Sequence, residues 1–211
     1  MIRLLTVTAA LLLAFVLTLA LIVAQPRDDS PIRSFFLPTA RCVAPCFMGI
    51  RPGTTSSVQA QAILQASAWV AQVSADANTI QWTWNGRQPA FLSGDPADNQ
   101  MTLNRGIVYS IDVGTSMDMA TIRLAFGKPD LWLSLSSMML SSRSSPTAIT
   151  YLEQRALYGA YNIEVSTAAQ CPLAINGQWG LITRITMPME VNYPGFSPSW
   201  TVIPPLPKDC A

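Results

Sequence analysis

Residues 53–86, GTTSSVQAQAILQASAWVAQVSADANTIQWTWNG, change their period halfway along. In the first half Val58, Ala62, Ile63 and Ala66 share one helical face, the Pro52-Gly53 turn precedes them, and Thr54 or Thr55 can cap the start. This spacing predicts a helix over about 55–66. In the second half the period is two. Trp69, Ala71 and Val73 alternate with small or polar neighbours, 74–78 supply a turn, and Ile80, Trp82 and Trp84 alternate with Thr79, Gln81 and Thr83. Asn85-Gly86 reads as a hairpin turn, with Pro89 pushing the next strand toward an edge. A helix followed by a meander of three short strands is the expected unit.

Outward from this unit, LSGDPADN at 92–99 reads as loop, and 101–113 resumes strand character through Ile107, Tyr109, Ile111 and Val113. At Gly114 the first pattern returns. A shift of 61 residues lays Gly53-Thr54-Thr55 over Gly114-Thr115-Ser116, Val58 over Met119 and Ile63 over Leu124. A second helix is expected over about 116–126, stopped by Gly127 at C′ and by Pro129. The match covers some six positions in twenty, so duplication of a helix-then-strands unit, about 49–110 and 111–191, competes with chance. Leu131, Leu133 and Leu135 then alternate as a strand, 134–145 is a serine-rich connection, and 149–152, 157–165 and 179–187 are strand candidates, with Asn176-Gly177 a further hairpin turn. Residues 192–211 interleave five prolines with Tyr193, Phe196 and Trp200, the composition of an extended strap.

The amino terminus is of another kind. Leu4 to Ala24, LLTVTAALLLAFVLTLALIVA, carries no charge. As a helix it would be about 31 Å long, close to the ~30 Å hydrocarbon core of a bilayer. Residues 1–24 therefore read as a transmembrane anchor. The competing reading is a signal segment cleaved near Ala24, which would leave a secreted protein, although its apolar run exceeds the usual 7–15 residues. Residues 25–40, with three prolines, read as a linker in which Phe35 and Phe36 either touch the bilayer interface or cap the core. Residues 41–191 form the expected ectodomain. The fold class is thus α+β: two short helices on antiparallel sheet behind an amino-terminal transmembrane helix, a single-pass cell-membrane protein with its bulk extracytoplasmic.

Cys42, Cys46, Cys171 and Cys210 are even in number and favour disulfides in that compartment. Four cysteines allow three connectivities. A Cys42–Cys46 bridge closes a tight loop, whereas bridges from that pair to Cys171 and Cys210 enclose longer ones and remove more unfolded-state entropy, so the preference goes to the long bridges. A redox or zinc site fits poorly, because the spacing is C-x-x-x-C and the chain has no histidine.

Pro45-Cys46-Phe47-Met48-Gly49-Ile50-Arg51-Pro52-Gly53 resembles an element of uncharacterised bacterial membrane-anchored proteins. GIRPGTTSSVQAQAIL with the later GTSMDMATIRLAFGKPD also resembles the helix-strand modules of outer-membrane assembly lipoproteins and of tandem-repeat β-lactamase inhibitor proteins, over roughly 40 residues. That resemblance implies a scaffold or inhibitor working by surface contact. This chain lacks the lipoproteins' acylated cysteine, and it has an apparent anchor that the inhibitors lack.

The absence of histidine removes Ser-His-Asp and Cys-His nucleophilic systems, and S-x-x-K, G-x-S-x-G and the phosphate-binding glycine loops are missing too. With Arg3 set aside the charge is zero, so no basic footprint for nucleic acid exists. No cofactor is implied. Carboxylates could serve a hydrolase, from Asp112, Asp118, Asp130, Glu153, Glu164 and Glu190, but the sequence pairs none of them. Asp95, Asp98 and Asn99 miss calcium-loop spacing. Trp82, Trp84 and Arg87 are the candidate contact surface, since tryptophan and arginine are enriched in interface hot spots; the bland alternative packs both tryptophans on the helix. The function expected is a non-enzymatic binding or scaffold protein held to the membrane through residues 4–24 and contacting a protein partner. A carboxylate hydrolase and a sensor ectodomain are the alternatives.

Overall fold

The computed structural model describes residues 11–18, 20, 30–37, 42–140, 148–171 and 182–189. The chain divides into two compact units, 1–30 and 31–211. In the first, residues 11–18 are helical with exposed side chains, and the rest of the expected span, apart from residue 20, lies outside the described residues. Among the described residues no helix is long and apolar enough to cross a membrane.

In the second unit, helix α1 (Ser30–Phe36) is followed by α2 (Ser57–Gln65) and strands β1 (Val70–Ala75), β2 (Thr79–Trp84), β3 (Gln100–Asn104) and β4 (Ile107–Asp118). Then come α3 (Met119–Phe126), β5 (Leu131–Leu140), β6 (Ala148–Tyr158), β7 (Ile163–Gln170) and β8 (Ile182–Pro188). All eight strands form one sheet in the order β1-β2-β3-β4-β8-β7-β6-β5. Every pairing is antiparallel. Each half of the sheet is a helix followed by a four-stranded meander, and the halves meet where β4 pairs with β8. The α+β class holds.

The helices begin where polar side chains satisfy the otherwise unpaired first amides. Ser56, rather than Thr54 or Thr55, caps α2 in a reciprocal box with Gln59. Asp118 caps α3 by accepting from Thr121 N at 2.7 Å. These caps lie 62 residues apart, not 61, and that offset also lays buried Ala60 and Leu64 over buried Ile122 and Phe126. The 61-residue shift would instead place Val58, 74% exposed, over fully buried Met119.

Period-two alternation buries one side of β2, β3, β4, β7 and β8. Ile80, Met101, Ile111 and Met187 form one buried cross-strand row, and Val113, Ile185, Val165, Ala156 and Trp132 another. Over these rows lies a chain of aromatic contacts. Phe35 meets Phe36, Phe47, Trp69 and Phe91 at 5.0–5.6 Å, and Phe36 reaches Phe126, which packs on Tyr158. Residues 30–36 are therefore a helix docked on the core rather than free linker, because Phe35 and Phe36 together bring too much apolar area to leave in water.

Other expectations are corrected. Asn85-Gly86 joins no hairpin: the Asn85 side chain accepts from Arg87 N and donates to Ala68 O, turning the chain off the sheet into a loop that rejoins at β3. The hairpin turn is Arg105-Gly106, both at positive φ, between β3 and β4. The expected strand 157–165 is split by a 3-10 turn at 159–161 and by Asn162 in the left-handed region. The expected serine-rich connection is strand up to Leu140. Asn176-Gly177 and the strap 192–211 lie outside the described residues.

The preference for long disulfides is also overturned. Cys42 bonds Cys46, Cα atoms 5.8 Å apart, and the chain then reverses at once through a Phe47–Ile50 hairpin with Met48 and Gly49 at positive φ. Loop entropy ranks bridges only by their effect on the unfolded chain; the local path decides which cysteines meet. Cys171 is disulfide-bonded as well, and Cys210 lies outside the described residues. The motif at 45–53 is a structural pin. Phe47 and Ile50 are fully buried, and Gly53 N donates to Val108 O.

Candidate functional site

The side of the sheet away from the helices is where polar side chains gather. The registers place Ser74, Gln81, Gln100, Asp112, Thr186, Glu164, Leu157 and Leu131 in one row crossing all eight strands. The neighbouring row runs Gly114, Arg184, Ser166, Arg155, Leu133. From β1 to β6 these side chains are exposed or half-buried while sequence neighbours such as Ile111, Val113, Ile185, Val165 and Ala156 are buried; at the β5 end Leu131 is itself buried.

Neighbouring strands lie about 4.8 Å apart, so side chains of one row touch and pair. Arg155 bridges two carboxylates, Glu153 at 2.6 Å and Glu164 at 3.3 Å. Thr186 Oγ1 donates to Asp112 at 2.6 Å. Arg184 pairs with Asp98, which reaches the face from the 3-10 turn at 96–98. Gly114 makes room for it, since a Cβ there would sit 2.2 Å from that of Asp98. Asp98, Glu153, Ser166, Thr167 and Arg184 line an open cleft of about 370 Å³. A second hollow of about 540 Å³ lies at Gln72, Ser74, Gln81 and Thr83. Beneath the cleft a buried hydroxyl pair, Thr115 and Thr183 at 2.9 Å, ties β4 to β8, and Thr183 also donates to Met117 O.

The candidate contact surface Trp82, Trp84, Arg87 is not brought together. Trp82 is 1% and Trp84 9% exposed, their rings 5.8 Å apart inside the aromatic chain, while Arg87 stands exposed on the loop. The alternation that makes the tryptophans prominent is what turns them onto the helices. Asp95, Asp98 and Asn99 form no cation loop. Asp95 accepts from Ala97 N, Asn99 is buried and donates to Asp95 O, and Asp98 is held by Arg184. Among the described residues no three His, Cys, Asp or Glu side chains cluster as a metal site.

Among the described residues the scattered carboxylates each have a structural partner. Asp118 caps α3, Asp130 accepts from Gly159 N at 2.7 Å, and Asp112, Glu153 and Glu164 belong to the polar face; Glu190 lies outside the described residues. The face itself is the feature that sequence reading missed. Its signal is the alternation Thr183-Arg184-Ile185-Thr186-Met187 and Ile163-Glu164-Val165-Ser166, which sets an outward polar series on two strands. Set against family models, curated proteins and solved structures, the chain matches none.

Proposed function

We propose that the chain is a non-enzymatic, membrane-anchored extracytoplasmic binding or scaffold protein, and that it makes protein-protein contact through the helix-free face of its sheet. The observation that carries this reading is the row of outward side chains running from Ser74 on β1 to Leu157 on β6 beside the Arg155 and Arg184 ion pairs. A broad, pre-positioned polar surface suits recognition of another folded surface, because little side-chain freedom remains to be lost on contact. The carboxylates of the cleft are already neutralised by guanidinium groups, an arrangement suited to holding register with a partner's charges. Two further points support the reading. The helix-meander unit occurs twice, with caps 62 residues apart, in keeping with duplication of a small module. The modules that GIRPGTTSSVQAQAIL resembles also act by surface contact. Residues 4–24 supply the anchor in this proposal.

The test uses the full chain in its own membranes. Ser166→Trp places a large ring at the centre of the face and is expected to cut recovery of a cross-linked partner at least tenfold, the scale of one interface hot spot. Val58→Trp, on the helical side, is expected to leave recovery unchanged. Equal recovery from both variants would remove the proposal.

A further inference from the structure

The outward side chains of the sheet divide into two chemistries. On β6, β7 and β8 the ions are already paired, Arg155 with Glu153 and Glu164, and Arg184 with Asp98. On β1, β2 and β3 the outward polar groups are uncharged amides and hydroxyls, those of Gln72, Ser74, Gln81, Thr83, Gln100 and Thr102. All six are exposed or half-buried, and among the described residues their side chains make no hydrogen bond. Donors and acceptors unused by the fold are available to a ligand. They are also gathered in a groove. Gln72, Ser74, Gln81 and Thr83 line the hollow of about 540 Å³, together with Ala97 from the loop that Arg184 holds through Asp98. Val73 and Trp82, between them, turn toward the core. A smaller hollow of about 170 Å³ shares Ser74 and Gln81 with the first and reaches Asp76 and Thr79 at the β1–β2 turn. Together they follow β1 from Gln72 to Ala75, about 13 Å of strand.

We propose that this groove binds a neutral glycan chain. Charge complementarity selects a neutral ligand. No lysine or arginine is among the described residues lining either hollow, as an anion would require. Asp76 is no counter-charge for a cation, because its carboxylate already accepts from Asn78 N and from the Thr79 amide and hydroxyl. A peptide or protein hot spot would present tryptophan, tyrosine or arginine, whereas Trp82 is 1% exposed. Each amide in the groove offers two donors and a carbonyl acceptor, and each hydroxyl both donates and accepts. A sugar hydroxyl likewise donates and accepts at one atom, so these groups pair with it in either sense. The larger hollow lies within the ~300–1,000 Å³ of small-molecule sites. Two hollows in line fit a chain of rings better than a single ring. The glycan site does not rest on the protein contact proposed above, whose test residue Ser166 lies in the other cleft.

The experiment uses the full chain in detergent. The probes are neutral tetrasaccharides of glucose, of mannose and of N-acetylglucosamine, with tetragalacturonate as the charged control. Calorimetric titration is expected to show binding of at least one neutral probe at millimolar concentration and no binding of the control. Gln81→Ala removes the amide common to both hollows and is expected to weaken that binding about tenfold, the scale of one lost hydrogen-bonding group. Its circular dichroism should be unchanged, because Gln81 is exposed. Ala97→Trp is expected to abolish binding by filling the larger hollow, and Ser166→Trp to leave it intact. Failure of all the neutral probes to bind the parent chain would overturn the proposal. So would binding that survives both groove variants, tighter binding of tetragalacturonate, or loss of sugar binding in Ser166→Trp. A parent chain that binds no sugar, yet loses its cross-linked partner on Ser166→Trp, would sink the glycan site and leave the protein contact standing.

Discussion

Tyr158 closes the end of β6 against the ring of Phe126, centroids 5.4 Å apart, and only 2% of it is exposed. Among the described residues its hydroxyl has no hydrogen-bond partner. Burial disfavours the phenolate and pushes the pKa up to about 12, against a smaller opposing influence of Arg123. A raised folded-state value means that the contribution to stability is whole below pH 10, the unfolded value, and is lost as pH climbs toward 12. Tyr158→Phe is expected to leave stability at neutral pH within about 1 kcal/mol, since it removes a buried hydroxyl without a partner. It is also expected to flatten the loss between pH 10 and 12 in denaturant titrations of variant and parent. At the β1–β2 turn, Asp76 shows the opposite direction. Accepting from Asn78 N, then from the Thr79 hydroxyl and amide, holds its carboxyl below the ordinary value.

Elements were legible where local chemistry is sufficient to make them. The start of α2 was legible to within two residues, its cap being Ser56 in a box with Gln59 instead of the expected Thr54 or Thr55, and Gly127 at the end of α3 needs only its own conformational freedom at φ 88°. The Arg105-Gly106 turn was not legible, because an arginine in the left-handed region is uncommon and is imposed by the pairing of β3 with β4. Nor was the seat of Asp98 over Gly114, which joins a loop to a strand across the polar face. Gly114→Ala is expected to push Asp98 off Arg184 and to cost about 1–3 kcal/mol as overpacking. A fall of several degrees in Tm, with loss of any salt dependence contributed by that ion pair, would be the measurement. An unchanged Tm would mean that the loop relaxes without effort.

For the whole second unit, the aromatic chain links segments far apart in sequence. Phe126 alone touches Phe36 of α1, Tyr158 of β6 and Tyr161 of the following turn. Phe126→Ala is expected to cost about 3–5 kcal/mol, a large share of the 5–15 kcal/mol that holds a domain together. A denaturant midpoint shifted by less than a third of that cost would show that the two ends pack independently. This scale was the least legible. Alternation tells which residues of a strand share a face, as Arg184 and Thr186 do, but it is silent on which strands are neighbours. The polar face depends on β4 lying beside β8, and nothing in either strand announces the other.

That seam joins Ser110 to Pro188 and Val113 to Ile185. During synthesis the first meander is finished long before its central partner exists, so the middle of the mature sheet spends that interval as an unsatisfied rim. A nascent chain halted before residue 182 should therefore cling to chaperones, and release should come with the last strand rather than with the first half.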